Sequence, residues 1–327
     1  MPQKYGVIQN TEKTRILNGV RCMSAKIRNF VFVNLKSFRM VEKKIQLAKK
    51  ITAKLIEEIG LPTVFIRVNK RKQVSLISSK FGGVPYWNKD IQYPTDRKGN
   101  KLMLLAQFNL EDIKGVDFLP QSGILQFFVY SDNEFHYGSD FDDYTNDDCF
   151  RVVYHSKIDS NISEEDIKSL NIPTSLDKSN DYDVITGVVG IDFEISKIAS
   201  PDYGEFKNRF IELAEEQGWH IDNKKDVMVL DYLIDDWDIM GEIYDMCHKY
   251  KNQLLGYPLF IQFDPRMDEE RYAKYDTLLF QMESFEEEIG TDFMATWGDV
   301  GIAHFFINRE NLLNRNFDDI MYCWDCS

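Results

Sequence analysis

The sequence lacks the long apolar runs that mark a membrane helix. No run in the 327 residues approaches the roughly 18 consecutive apolar residues that such a helix needs. The segment closest to a signal-peptide core, residues 30–35, is too short and is flanked by Lys26, Arg28 and Lys36. We therefore expect a cytoplasmic protein with no membrane association.

Cysteine is scarce, and its number is odd. Five cysteines in a chain of this length do not suggest a disulfide framework, so reduced thiols are expected. Cys323 and Cys326 form a CxxC, but no second CxxC or histidine pair completes a metal site. If the C-terminal segment is a strand, these two side chains also point to opposite faces. We predict neither a metal nor a redox function for this pair.

Signatures of common enzyme classes are also missing. The sequence contains no GxSxG, HExxH, GxxxxGK or GxGxxG. Its densest run of carboxylates could supply oxygen ligands to a cation and comprises Asp140, Asp142, Asp143, Asp147 and Asp148. The calcium-loop pattern fails there, because Tyr144, Thr145 and Arg151 occupy positions that require other residues. We predict a solvated acidic loop, no cofactor and a non-catalytic protein.

Charge is distributed unevenly along the chain. Residues 1–39 contain eight Lys or Arg and one acid, so the rest carries a net charge of −21 within a total of −14. Such a body repels nucleic acid and anionic membranes and favours a basic protein partner. The basic head could be a nucleic-acid or membrane arm, a transit peptide, or an extension that is disordered or lies outside the native start. We favour the last interpretation, because a helix signal begins directly after Met40.

Two halves of the chain share one pattern. In each half, a Gly-x-Pro is followed by a glutamine and then by a glycine that precedes two phenylalanines. The first half has Gly83, Pro85, Gln107, Gly123, Phe127 and Phe128, and the second has Gly256, Pro258, Gln281, Gly301, Phe305 and Phe306. We interpret the pattern as an internal duplication. Two units are too few for a solenoid, so we expect a fused pair.

Periodicity gives the remaining elements. Helical spacing predicts helices at 41–59, 202–217 and 227–250, and Ser163 looks like the cap of a short helix. Alternation and turn residues predict strands at 63–68, 73–77, 102–110, 124–130, 151–154 and 320–324. We predict an α+β fold: residues 40–327 form one domain of two related antiparallel-sheet repeats (63–155 and 250–327), with helices before them and a helical insert (160–250) between them.

A ligand cleft between the repeats is one candidate site. Gln107 and Gln281 hold matching places in the two halves, and Trp297 and Asp299 lie in a glycine-flanked turn that leads into a strand. Pockets favour such interfaces. The structural alternative is that the glycines permit tight backbone while Trp297 packs in the core.

An acidic stripe is the second candidate site. Steps of four, three, four and three along the predicted helix 227–250 join Asp231, Asp235, Asp238, Glu242 and Asp245. Like charges at these spacings cost helix stability, which gives one reason to expect a basic partner. A solvated face is the simpler interpretation of the same pattern.

The same motifs resemble a known family. The blocks 79–85, 105–110 and 119–128, and then 255–258, 264–266, 279–281 and 297–306, are similar to those of the YwqG-like proteins, a bacterial domain of unknown function. The resemblance covers about residues 41–327 and implies an α+β fold without an assigned activity or catalytic residues. Some relatives are associated with toxin systems, which implies an accessory role by association alone.

Three hypotheses of function follow. The first is a non-catalytic cytoplasmic binding protein for a basic protein. The second is an enzyme or small-molecule binder with a cleft at the repeat interface. The third, a nucleic-acid-binding role, concerns residues 1–39 alone.

Overall fold

The computed structural model of the chain describes residues 25–130, 136–177, 183–222, 230, 233–234, 236–248, 251–286 and 293–327. Side chains are described from Met40 onward within these ranges. The chain divides into two compact units. The helical unit contains the described residues up to Leu55 and from Pro201 to Cys247, and the sheet unit contains Ile56–Ser200 and His248–Ser327.

Six helices occur in the described ranges: α1 Ala25–Ile59, α2 Glu164–Lys168, α3 Gly204–Glu216, α4 Trp237–Cys247, α5 Pro265–Asp268 and α6 Arg309–Leu313. The predicted helix 41–59 is the C-terminal part of α1, which also includes residues 25–39 of the basic extension. The predicted helix 202–217 is confirmed as α3. Within these ranges, no helix combines the length and apolarity that crossing a bilayer requires.

The predicted helix 227–250 is wrong at its start. Residues 230, 233, 234 and 236 are not helical, and α4 begins at Trp237. Asp236 explains this boundary, because its carboxylate accepts a hydrogen bond from Ile239 N at 3.3 Å and so caps the helix. Trp237 is 89% exposed in this first turn.

The sheet unit contains thirteen described strands: β1 Leu61–Asn69, β2 Lys80–Gly82, β3 Met103–Asn109, β4 Ile124–Val129, β5 Phe150–His155, β6 Ile185–Thr186, β7 Val188–Ile198, β8 Gln253–Leu255, β9 Thr277–Glu283, β10 Phe285–Glu286, β11 Met294–Ala295, β12 Ile302–Ile307 and β13 Ile320–Asp325. Ten of them form one antiparallel sheet in the order β13-β12-β9-β8-β1-β7-β2-β3-β4-β5. The other three form a small sheet, β10-β11-β6.

Strands β1 and β7 are the centre of the large sheet and pair from Leu61–Ile198 to Asn69–Gly190. From this pair, one arm runs through β2, β3, β4 and β5, and the other runs through β8, β9, β12 and β13. The strands of the two predicted repeats therefore occupy matching positions in the two arms.

The two arms curl towards each other around a shared aromatic core. Phe127 of β4 lies 4.8 Å from Phe280 of β9, measured between ring centroids, and 5.0 Å from Phe305 of β12. At the two ends of the sheet, Phe150 of β5 lies 5.1 Å from Tyr322 of β13. No ladder joins β5 to β13 among the described residues, so the large antiparallel sheet is nearly closed.

Two predictions about strands need correction. Strand β7 lies within the predicted helical insert, although Ile191 and Phe193 alternate there with Asp192 and Glu194. The predicted strand 73–77 is a loop. Its Ser75 carbonyl accepts a hydrogen bond from Lys80 Nζ, and its Leu76 carbonyl accepts one from Gln107 Nε2. The other strand predictions are confirmed.

Candidate functional site

Gln107 fixes the turn that follows the first Gly-x-Pro. Phe108 points into the core, so its neighbour Gln107 on β3 points to the outer face of the sheet. Its Oε1 accepts a hydrogen bond from Tyr86 N at 2.9 Å. Its Nε2 donates to the carbonyls of Leu76 and Ser78, both at 2.9 Å. The buried amide is therefore engaged by three backbone groups and by Gln126 Nε2, which donates to its Oε1 at 2.8 Å.

On the other arm, Gln281 fixes the turn that follows the second Gly-x-Pro. Its Oε1 accepts from Leu259 N, the residue after the second Gly-x-Pro, at 2.8 Å. Its Nε2 donates to the carbonyl of Lys251 at 2.8 Å. Phe280, its neighbour on β9, points into the core, so Gln281 also lies on the outer face.

A second side chain completes each arrangement. On the first arm, Gln126 Nε2 donates to the Tyr86 carbonyl at 2.7 Å. On the second arm, His304 Nε2 lies 2.8 Å from the Leu259 carbonyl, so this ring nitrogen carries the proton. We call each pair of side chains, with the residue whose N–H and C=O they bind, a backbone clamp.

His304 is held as a neutral imidazole. It is fully buried and stacks on Phe260 with ring centroids 4.2 Å apart. Burial lowers its pKa to about 3. Burial also lowers the pKa of His155, whose Nε2 lies 2.9 Å from Gln126 Oε1, to about 4.

The predicted cleft residues lie in different environments. Gln107 and Gln281 belong to the two clamps on separate arms. Trp297 is buried in the core beside Tyr137, with ring centroids 5.9 Å apart. Asp299 is exposed in the following turn. The structure does not bring these four side chains together into one site.

The acidic stripe is described only in part. Asp231 and Asp235 lie outside the described residues. Asp238 and Asp245 are exposed on α4. Glu242 Oε2 is 2.6 Å from Lys49 Nζ, and both side chains belong to the helical unit.

The carboxylate run at 140–148 forms a loop that binds its own backbone. Asp140 accepts hydrogen bonds from Asn146 Nδ2 and from the amides of Asp142 and Asp143, and the Asn146 bond is the main cause of its lowered pKa. Across the part of the chain described, no group of His, Cys, Asp or Glu is arranged to hold a metal.

This loop also covers the edge of β13. Tyr322 N donates to the carbonyl of Tyr144 at 2.8 Å, and Ser139 Oγ donates to the carbonyl of Tyr322 at 3.4 Å. The outward backbone groups of Tyr322 are therefore satisfied from within the chain.

The edge of β5 is open by contrast. Tyr130 N donates to Cys149 O, and continuing the antiparallel alternation from that pair makes Arg151, Val153 and His155 the residues bonded to β4. The backbone groups of Val152 and Tyr154 therefore point away from β4. No described residue hydrogen-bonds to them there.

A cleft of about 430 Å³ lies along this open edge, and we call it the edge cleft. Val152 and Tyr154 line its β5 side, Ile91 and Tyr93 line one wall, and Arg315 and Phe317 line the other. The aromatic contacts support both walls: Tyr154 lies 5.4 Å from Phe317, and Tyr93 lies 4.8 Å from Trp87, between ring centroids. The sequence predicts this strand but carries no signal of its open edge, because edge position depends on strand order.

Two buried thiols lie outside the edge cleft. Burial, with a smaller effect of Asp202, raises the pKa of Cys247 to about 12. Burial likewise raises the pKa of Cys323 well above its ordinary value. Both therefore remain protonated thiols and are poor nucleophiles near neutral pH.

Comparison with known proteins gives a family and no activity. A family model described as a domain of unknown function, DUF1963, matches residues 79–326. The match includes both arms from β2 onward and the edge cleft. No curated protein matches the sequence.

Proposed function

The chain belongs to the DUF1963 family, a domain of unknown function, and from that premise we propose that it is a non-catalytic binding protein. It takes up an extended segment of a partner protein at the open edge of β5. The observation that carries this proposal is the unpaired backbone of Val152 and Tyr154 beside the edge cleft.

An open edge strand supports peptide binding for a simple reason. Its free N–H and C=O groups can hydrogen-bond to an added strand, while flanking pockets receive alternate side chains. An exposed edge strand can also pair with other chains and cause aggregation, so proteins usually cover or interrupt it. Here the wall residue Ile91 is 42% exposed and offers apolar contact next to the edge.

The chemistry of the buried groups supports a non-catalytic function. The two buried thiols stay protonated, and burial keeps His155 and His304 neutral at physiological pH. The imidazoles are engaged in hydrogen bonds to Gln126 and the Leu259 carbonyl. None of these four groups lines the edge cleft.

The resemblance to the YwqG-like proteins and the internal duplication belong to the same proposal. The duplication is supported by the two clamps, which bind the N–H and C=O of Tyr86 and Leu259 with side chains from matching strands. A cytoplasmic location is proposed on the sequence alone.

Two other binding modes stay as proposals. A basic partner could contact Asp238 and Asp245 on α4, whereas Glu242 already pairs with Lys49. A small-molecule ligand near the predicted cleft residues could reach Asp299, because Gln107, Gln281 and Trp297 are buried.

The test is selection of random peptides displayed on phage against the full chain, followed by N-methylation of each position of an enriched peptide. We expect methylation at every second residue to weaken binding about tenfold, because it removes one hydrogen bond to β5, while the positions between tolerate it. Val152→Pro should also weaken binding about tenfold, since proline removes one outward N–H without touching the β4 ladder.

The control arm is the double reversal Asp238→Lys and Asp245→Lys. Unchanged peptide binding by this variant supports the β5 edge. Loss of binding in this variant alone would move the site to α4. A lack of enriched peptides, or equal sensitivity to methylation at every position, would overturn the β5 proposal.

A further inference from the structure

Arg315 has an unusual backbone conformation for its residue type. It directly follows the last residue of the α6 cap, Asn314, and has a φ of +58°. Arg315 N donates to the Leu312 carbonyl, and Asn316 N donates to the Asn311 carbonyl, which is a regular helix ending. Glycine is the favoured residue at this position, because a side chain is strained there. The chain nevertheless has an arginine here.

Arg315 is a basic residue beside the edge cleft. Arg315 is exposed and lines the cleft, and no described carboxylate forms an ion pair with it. Burial raises the pKa of Tyr154 on β5, and the charge of Arg315 opposes that rise.

The other charged residues that line the cleft are Arg151 and Asp318. Arg151 forms an ion pair with the Asp147 carboxylate, and its Nη2 donates to the Asp147 carbonyl at 3.1 Å. Asp318 is the one acid among the lining residues. The chain as a whole has a net charge of −14, so an arginine with no ion pair to any described residue is a local exception in its cleft.

We propose that the segment bound at the β5 edge carries a carboxylate and that Arg315 binds it. This inference rests on the proposed function, because the segment must first add to β5. A guanidinium can donate two parallel hydrogen bonds to a carboxylate, which fixes the register of the added strand as well as its affinity. The preference is opposite to the basic partner expected from net charge.

The carboxylate could belong to an acidic side chain or to a chain terminus. Peptides enriched on the wild-type chain distinguish the two. Replacement of each Asp or Glu by Asn or Gln reports a side chain, and amidation of the C-terminus reports a terminal carboxylate.

The test measures peptide affinity by fluorescence anisotropy for the wild type, Arg315→Gln, Arg315→Gly and Arg309→Gln. We expect Arg315→Gln to weaken the carboxylate-bearing peptide about tenfold and its neutral analogue little, because only the charged hydrogen bonds are lost. Arg315→Gly should show the same loss with a raised denaturation midpoint, since glycine relieves the strain. A loss of binding in this variant therefore cannot come from unfolding.

Arg309→Gln is the matched control. It removes one positive charge from α6, where the guanidinium lies over Phe118 and outside the cleft. Equal weakening by Arg309→Gln and Arg315→Gln, or equal affinity of charged and neutral peptides, would overturn the carboxylate inference while leaving β5 binding intact. Failure of both peptides to bind the wild type would overturn both proposals.

Discussion

The two edge strands of the large sheet differ in whether their outward N–H and C=O groups have hydrogen-bond partners. On β13, Tyr322 donates to the Tyr144 carbonyl and accepts from Ser139 Oγ, so the loop covers that edge. On β5, Val152 and Tyr154 have no such partner among the described residues. Proteins usually cover or interrupt exposed edges, so the uncovered one is the better candidate for binding.

The two arms are much more alike at their clamps. Each places a glutamine on the third strand from its edge and uses it to bind the residue after a Gly-x-Pro. The difference lies in the second side chain, which is Gln126 on one arm and His304 on the other. The scaffold is therefore shared, while the edge and one clamp residue are particular to each arm.

Removing the two clamp glutamines gives the largest expected effect. Gln107→Ala removes the hydrogen bonds that Gln107 makes to Tyr86 N and to two backbone carbonyls. We therefore expect the free energy of unfolding to fall by about 4 kcal/mol. Gln281→Ala leaves one amide and one carbonyl, so we expect a loss of about 2 kcal/mol. Urea denaturation monitored by fluorescence measures both.

The matched control is Gln121→Ala, which removes an exposed glutamine bound only to nearby carbonyls. We expect this change to cost under about 1 kcal/mol. A Gln281→Ala variant less stable than Gln107→Ala would show that the clamps are not ranked by their hydrogen bonds.

These clamps show how far sequence reasoning reaches. The repeated Gln107 and Gln281 stand out in the sequence, but the sequence does not say that both bind backbone rather than a ligand. Local signals succeed where the cause is local, as with Ser163, whose side chain and Asp166 form a capping box.

Features that depend on distant pairing could not be predicted. Strand β7 is central because Ile198 pairs with Leu61, which is far away in the sequence. The open edge of β5 follows from the order of all ten strands. Arg315 gave no signal, because its backbone conformation is set by the end of α6 and is one that usually favours glycine.

Exchanging the clamp histidine sharpens the comparison between the arms. His304 has a folded-state pKa of about 3, below the ordinary value of 6.5, so the unfolded chain binds more protons between these values. Its contribution to stability is complete above pH 6.5 and decreases as the pH falls towards 3. In His304→Gln, the new amide can donate to the Leu259 carbonyl as Gln126 does to that of Tyr86. The unfolding free energy of the wild type falls between pH 7 and pH 5, and we expect this decrease to be about 2 kcal/mol smaller in the variant.

Urea denaturation at both pH values measures this change. His155 remains in the variant and has a lowered pKa of its own, so part of the pH dependence should persist. An unchanged difference between the two pH values would mean that His304 does not titrate on unfolding in this window.

Hydrogen exchange of single amides tests the edges themselves and gives the smallest expected effect. Tyr322 N is bonded to Tyr144 O at 2.8 Å, whereas Val152 N faces the edge cleft without a described acceptor. We expect the Val152 amide to exchange at least about tenfold faster than that of Tyr322 in the free chain, because exchange is slowed by hydrogen bonding. An enriched peptide should slow exchange at Val152 and leave Tyr322 unchanged. Equal protection of both amides without peptide would mean that the β5 edge is already covered, and the contrast between the two edges would then fail.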